Sequence, residues 1–427
     1  MTGQDFPRPA AAPAPRPSTG AAPFAADEIF FSRTDERGVI RAFNDVFLRI
    51  ADYAAADLIG APHRIIRHPD MPKGVFHLLW EGIKAGHPIG AYVKNRARDG
   101  LYYWVYALIT PTTGGYLSVR IKPCADLLPL VEAEYAALLA AEAAGLSPEA
   151  SAHALCARLA ALGFPSHAAF QTEALLREMQ ARRAAQGQTP DRGLEALHRM
   201  GAALRELRDE IAALQRLLRG AGLLTANMRL VAAKLADGRR TIGEIARSYG
   251  IALDEMQAHV AGFATLARPE GRHAACPEER ALFLLCAARL MDQVCADFHR
   301  SPAALEGVDH AAEAAVLATV AARYADEARP ALEDLGLAAR ALRRDVEFLR
   351  RLVVGLSTVR IACRVESGML TQRSAGLETI IGRIDDLQQG VFAALDRIDG
   401  AALRAGAAFR DWQGTGSGAG TAARSAA

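Results

Sequence analysis

The densest chemistry in the chain stands in one short stretch, Arg67-His68-Pro69-Asp70-Met71-Pro72. Each proline fixes its own φ and restricts the residue before it, so the segment is held in one irregular shape. A rigid loop presenting a guanidinium, an imidazole and a carboxylate can grip a polar ligand or orient a neighbouring strand. The plainer alternative is structural: Asp70 caps the helix that begins near Lys73, and Arg67 pairs with a carboxylate. Residue types alone leave both readings open.

No other grouping has the spacing of a reaction centre. The cysteines at 124, 156, 276, 286, 295 and 363 form no Cys-x-x-Cys pair and no Cys/His set with zinc spacing, which predicts reduced, mostly buried thiols and no metal site. There is no Gly-x-x-x-x-Gly-Lys-Ser/Thr loop, no Gly-x-Ser-x-Gly elbow and no His-Glu-x-x-His. A histidine-kinase ATP block and a cyclic-dinucleotide synthase signature are also missing, so the chain reads as a non-enzyme. His153, His198, His259 and His310 sit in helical stretches and read as structural or exposed.

The elements that must position the Arg-His-Pro-Asp loop are readable around it. Ile29–Ser32, the turn Asp35-Glu36-Arg37-Gly38 and Val39–Phe43 predict a hairpin, with Asn44 as N-cap of a helix carrying Val46, Phe47 and Ile50 inward. A helix over Lys73–Ala85 places Phe76, Leu79, Trp80 and Ile83 along one side and ends at Gly86. Three extended stretches follow, Ile89–Arg98, Leu101–Ile109 and Tyr116–Lys122, joined at Asp99-Gly100 and at Thr112–Gly115. This is an α+β domain of ordinary size, about 100 residues.

Taken together, His63-x-x-Ile66-Arg67-His68-Pro69-Asp70-Met71-Pro72, Phe76, Trp80, Val93-Lys94-Asn95-Arg96, Asp99-Gly100, Tyr103-Trp104 and Gly115-Tyr116-x-Ser118-Val119-Arg120 resemble the PAS domain of bacterial aerotaxis receptors, over about residues 29–123. The resemblance implies a five-stranded antiparallel sheet with short helices. It also implies non-covalently bound FAD whose redox state reports oxygen or energy status. By motif, Arg67, His68 and Asp70 would be cofactor-binding, with Asn44, Phe76, Trp80 and Asn95 lining or bordering the site. Haem is the rival cofactor, because His63, His68, His77 and His87 lie in the region and imidazole is a common axial ligand. A light-sensing flavin–cysteine adduct is disfavoured, since no cysteine precedes Pro123. A pocket without any cofactor, serving dimerisation or scaffolding, is the other alternative.

The chain changes character near Pro123 and becomes rich in Ala, Leu, Arg and Glu, all strong helix formers. Leu197, Met200, Leu204, Leu207, Ile211, Leu214 and Leu218 form one heptad seam; Leu377, Ile380, Ile384, Leu387, Val391, Ala394 and Ile398 form another. Each needs a partner helix, which predicts an all-α bundle or coiled coil and a homodimer formed through one seam. A weak internal similarity links Leu224–Ile245 with Leu356–Ile384. The stretch Leu223–Asn227 through Ala246 weakly resembles the signalling hairpin of chemoreceptors, which implies chemotaxis-type signalling partners.

The remaining bounds are compositional. A formal charge of +2 gives no uniform field for nucleic acid. The leader lacks the basic start and apolar core of a secretory signal, and no apolar run reaches the roughly 20 residues that span a bilayer. The expectation is therefore a soluble, cytoplasmic protein. Its organisation is a disordered Pro/Ala-rich leader at 1–23, the PAS sensor at 24–123 and a helical connector at 124–195. A helical signalling region at 196–410 and a disordered tail at 411–427 complete it.

Overall fold

The computed structural model describes residues 16–234, 239–263, 275–300, 308–369 and 375–419. Expectations for residues 1–15, 235–238, 264–274, 301–307, 370–374 and 420–427 lie outside these. The chain forms two compact units, Met1–Pro190 with Phe283–Glu327, and Asp191–Leu282 with Ala328–Ala427.

In chain order the first unit begins with strands β1 (Ile29–Asp35) and β2 (Ile40–Phe43), helices α1 (Asp45–Ala51) and α2 (Ala55–Leu58), and a 3-10 turn at His63–Ile66. Helix α3 (Lys73–Lys84) and strands β3 (Ile89–Arg96), β4 (Tyr102–Thr112) and β5 (Gly115–Ile121) complete the α+β core. The five strands make one antiparallel sheet in the order β2-β1-β5-β4-β3. Its tight turns fall where the sequence predicts them, with Gly38, Gly100 and Gly114 at positive φ.

Alternation along the strands sorts side chains to two faces. On β1, Ser32 and Thr34 turn toward α1 and α3, while Phe31 and Arg33 turn to the other face. That second face is covered by helices. α4 (Leu128–Ala143), α5 (Pro148–Ala161) and α6 (His167–Ala185) follow β5 directly. Glu178 of α6 is fully buried; it accepts from the Tyr92 hydroxyl at 2.6 Å and from the Cys124 and Ala125 amides at 2.6 and 3.1 Å. Burial pushes both the Glu178 carboxyl and the Tyr92 hydroxyl upward in pKa.

Residues 16–23 pack on the sheet domain, where the sequence expectation was a disordered leader. Arg16 pairs with Asp99 at 2.7 Å, Ala22 donates to the Tyr102 carbonyl at 2.8 Å, and Phe24 is buried against Phe30. Arg182 of α6 adds a clamp, donating to the carbonyls of Ala26 and Asp27. An apolar anchor and a free strand edge thus overcome local composition.

The second unit is built from α7 (Arg192–Lys234), α8 (Arg239–Ala261), the beginning of α9 (Pro277–Arg300), most of α10 (His310–Met369) and α11 (Ala375–Ala419). The two heptad seams cover one another: α7 and α11 run antiparallel, with Glu206 paired to Arg404, Glu210 to Arg397 and Arg199 to Asp411. Leu207, Leu214, Leu218, Ile384, Ala394 and Ile398 are fully buried inside the chain. No part of either seam is left open for a second copy among the described residues. The helix α11 continues to Ala419, so the stretch 411–419 is helical where a tail was expected; Phe409 and Trp412 pack ring to ring just before the glycines. Among the described residues no helix is long and apolar enough to cross a membrane.

Candidate functional site

Between the sheet's inner face and α3 lies a cavity of about 170 Å³. Its apolar wall is Ile66, Phe76, Leu79, Trp80, Ile83, Val93, Ala107, Ile109 and Tyr116. Its polar lining is Thr34, His63, Arg64, Arg67, Asn95, Ser118 and Arg120. Trp80 stands at the rim, 38% exposed, with its ring edge-on to Tyr116 at 5.5 Å.

The polar groups are arranged unusually. Asn95 and Ser118 are buried, yet Asn95 Nδ2 and Ser118 Oγ have no hydrogen-bond partner among the described residues. Buried polar atoms are nearly always paired, so such orphans call for an explanation. Arg120 is buried too and has no carboxylate in contact among the described residues. It donates to Ser32 Oγ at 3.0 Å, to the Ser118 carbonyl at 3.3 Å and to His63 Nε2 at 2.5 Å. Phe30 and Phe47 flank its guanidinium at 5.5 and 5.6 Å. Burial lowers the Arg120 pKa to about 10, and burial together with Arg120 holds His63 well below its usual value. An arginine can only donate, so His63 Nε2 accepts and the ring is neutral.

The residues expected at the site divide. Arg67, Phe76, Trp80 and Asn95 line the cavity together, with the Arg67 guanidinium stacked 3.7 Å from the Phe76 ring centroid. Arg67 makes no ion pair among the described residues, and burial lowers its pKa. His68 and Asp70 lie outside the cavity. His68 Nδ1 accepts from the Asp70 amide at 3.1 Å, and the mostly exposed Asp70 carboxylate pairs with Lys94 at 2.7 Å, which lowers its pKa. Asn44 also lies apart: its Oδ1 accepts from the Phe31 and Phe47 amides, and its Nδ2 donates to the Ile29 carbonyl. Nor does Asp70 cap α3; the amides of Lys73 and Gly74 both donate at 2.8 Å to Glu142 of α4.

His63 is expected only as a haem ligand, and Ser118 and Arg120 are not among the expected site residues. Their signal was present: Tyr116, Ser118 and Arg120 alternate on β5, so one face of a central strand carries polar groups where apolar ones are usual. Outside the cavity mouth runs an open groove of about 670 Å³ that shares Arg64 and Arg67 and adds His68, Lys73, Arg96 and Glu142. Cations predominate along it.

An apolar slot with unsatisfied amide and hydroxyl groups suits the polar edge of a planar heterocycle such as a flavin ring. At about 170 Å³ it is smaller than the roughly 300–1,000 Å³ of pockets that enclose whole ligands, so the groove must hold whatever extends beyond the ring. Arg67, Asn95, Ser118 and Arg120, with Phe76 and Trp80 as walls, fit that group.

The five-stranded sheet with its short helices is a PAS-type domain. Residues 40–116 match the PAS fold family. Over 121 residues the chain is 38% identical to the aerotaxis receptor of Escherichia coli (strain K12), covering 27% of this chain and 24% of that protein. Over 83 residues it is 30% identical to the nitrogen fixation regulatory protein of Klebsiella pneumoniae, covering 19% and 17%. The match thus spans a quarter or less of the length of these curated relatives. Among solved structures, a LOV domain of a blue-light activated histidine kinase from Erythrobacter litoralis EL346 is similar at 15% identity and a TM-score of 0.20, covering 22% of this chain and 90% of that one. A PAS domain from Colwellia psychrerythraea is similar at 21% identity and a TM-score of 0.20, covering 22% and 85%.

Proposed function

We propose that this chain is a cytoplasmic, non-catalytic redox sensor, in which the cavity holds the flavin of FAD and the helical region passes the signal to partners of the aerotaxis or chemotaxis kind. One observation carries the reading: a largely apolar cavity in which, among the described residues, Asn95 Nδ2 and Ser118 Oγ lack partners beside an Arg120 that lacks an acid. The similarity to a protein named for aerotaxis supports it.

A bound flavin supplies reversible electron acceptance at a ring whose edge offers hydrogen-bond donors and acceptors. Asn95 can serve either kind of atom, since its amide both donates and accepts. Arg120 favours negative charge gained at the cavity floor, and the low-dielectric wall of Phe30 and Phe47 strengthens that preference. Phe76 and Trp80, one helical turn apart on α3, exclude water from that side of the cavity. Arg64, Arg67, Lys73 and Arg96 give the groove the charge to receive a diphosphate. His63 is engaged through Nε2 with Arg120, so that nitrogen is not offered to haem.

Purified protein is expected to be yellow, to release FAD on denaturation and to bleach with dithionite. Asn95→Ala is expected to weaken flavin affinity about tenfold, the worth of a hydrogen bond made in a buried site. A folded, colourless protein that takes up neither FAD nor FMN would refute the proposal.

A further inference from the structure

The second unit repeats itself. α7–α8 and α10–α11 are antiparallel hairpins, and the similar stretches 224–245 and 356–384 span the same place in each, from the end of the outgoing helix into the return helix. Packing follows the repeat. α8 meets α7 through Gln257, which donates to the Leu218 carbonyl, and meets α10 where His259 packs on Phe348 at 4.2 Å. α11 meets α10 through Arg343–Asp399, Arg350–Asp396 and Arg360–Asp385, and meets α7 along the seams. Each outgoing helix therefore has one return helix of its own hairpin and one of the other as neighbours.

The connection between the copies is out of proportion. Helix–helix connections in bundles usually take about 2–8 residues. Here the part of the chain that joins α8 to α10 leaves for the first unit, and Phe283–Glu327 belongs there. The outer face of the sensor sheet grips it at several points. Arg33 of β1 donates Nε to both Glu313 oxygens at 2.9 Å and Nη2 at 2.6 Å, and the Glu313 side chain is 3% exposed. Tyr324 donates to Thr110 Oγ1 of β4 at 2.8 Å, and Phe298 packs on Phe31 at 5.2 Å. Gly90 of β3 leaves room for this packing; a Cβ there would lie 2.1 Å from the Tyr106 hydroxyl and 3.3 Å from Phe283.

The gripping residues alternate with cavity residues on the same strands. Ser32, bonded to Arg120, precedes Arg33, and Ile109, on the cavity wall, precedes Thr110. Neighbouring residues of a strand point to opposite faces, so a shift of either strand moves both sides together. Beyond Glu327, α10 carries Pro330, which removes one helical hydrogen bond and crowds the turn before it.

We infer that Phe283–Glu327 is the receiver of the sensor: β1 and β4 hold the connection between two repeated hairpins, and a change at the cavity is delivered to hairpin pairing along α10, which yields at Pro330. The nature of the stimulus rests on the flavin reading, whereas the mechanical link does not.

Hydrogen–deuterium exchange on the full chain, with no added flavin, tests the link. Glu313→Gln and Tyr324→Phe are each expected to speed exchange in 310–327, about tenfold for the glutamate, whose bond is charge-assisted and buried. The increase is expected to spread into 339–353 and 377–398 while 102–121 stays protected. The charge swap Arg33→Glu with Glu313→Arg should restore both regions. Tyr324→Phe removes one hydroxyl and no packing, so its folding is not at issue. Faster exchange confined to 310–327, with both hairpins unchanged, would overturn the inference. If the protein takes up no flavin but the spread occurs, the link stands and only the flavin reading falls.

Discussion

Two buried arginines, one from each unit, are treated in opposite ways. Arg208, in the helical unit, lies against Glu278 and Glu279, both on the first turn of α9 and both buried. Arg120, in the sensor unit, meets hydroxyl, carbonyl and imidazole acceptors but no acid. A buried charge is tolerated in a finished core when it is paired and bonded. The pairing of Arg208 is therefore an internal solution, complete as it stands. The surroundings of Arg120 are half of one, and the cavity beside it is where the other half would sit.

The comparison is broken most forcefully from the helical side. Arg208→Met strands two buried carboxylates and is expected to cost about 3–5 kcal/mol, seen as a large drop in the melting temperature of the helical unit. A loss below about 1 kcal/mol would mean that Glu278 and Glu279 are solvated and that the two arginines are alike.

A smaller effect should come from pH. His63 is held neutral by burial and by Arg120, so its folded pKa lies below the unfolded value of about 6.5. The unfolded chain then binds more protons as pH falls below 6.5, and stability attributable to this group declines from there toward its lower folded pKa. His63→Gln is expected to flatten that part of the stability–pH curve, measured by denaturant melts between about pH 7 and 5. An unchanged slope would show that His63 already titrates normally.

The sensor half was readable in unusual detail because its signals are local. Asp99-Gly100, Thr112–Gly115 and the alternating aromatics mark turns and strands within a few residues of one another, and β3, β4 and β5 fall within three residues of the expected ends. The strand β4 runs on to Thr112 because Pro111 sits next to the turn, paired with Tyr116, where a missing amide costs little. The seams on α7 and α11 were equally plain, but nothing local said that they would meet each other. Least readable was the outer sheet face. Glu178, Glu313 and Tyr324 look like ordinary helix-surface residues, and their partners lie 86, 280 and 214 positions away. Asn44, His68 and Asp70 mislead in the reverse sense, since their polar groups are spent on backbone or on the half-buried Lys94.

Exposed pairs on the bundle supply the scale for a negligible effect. Arg199–Asp411 is more than half exposed on both sides, and Asp411→Ala is expected to change stability by about 0–1 kcal/mol, with that remainder lost at high salt. A change above about 2 kcal/mol would show that surface charge, not the seams, holds α7 to α11.

The sharpest use of the contrast is the smallest change in stability. Arg120→Met removes a buried cation without stranding an acid, and replacing a buried ion by an apolar chain of similar length is often neutral or stabilising. Ligand-free protein should therefore melt within about 1 kcal/mol of the wild type, against the large loss for the same replacement at 208. The variant should also let His63 titrate higher, since its cationic neighbour is gone, and should lose affinity for flavin. Three readouts then separate the possibilities: calorimetry for stability, proton NMR of the His63 ring for titration, and absorbance for the ligand. If Arg120→Met instead unfolds the sensor unit while Arg208→Met does not disturb the bundle, the unpaired arginine is the structural one, and the cavity loses the feature that marks it as unfinished.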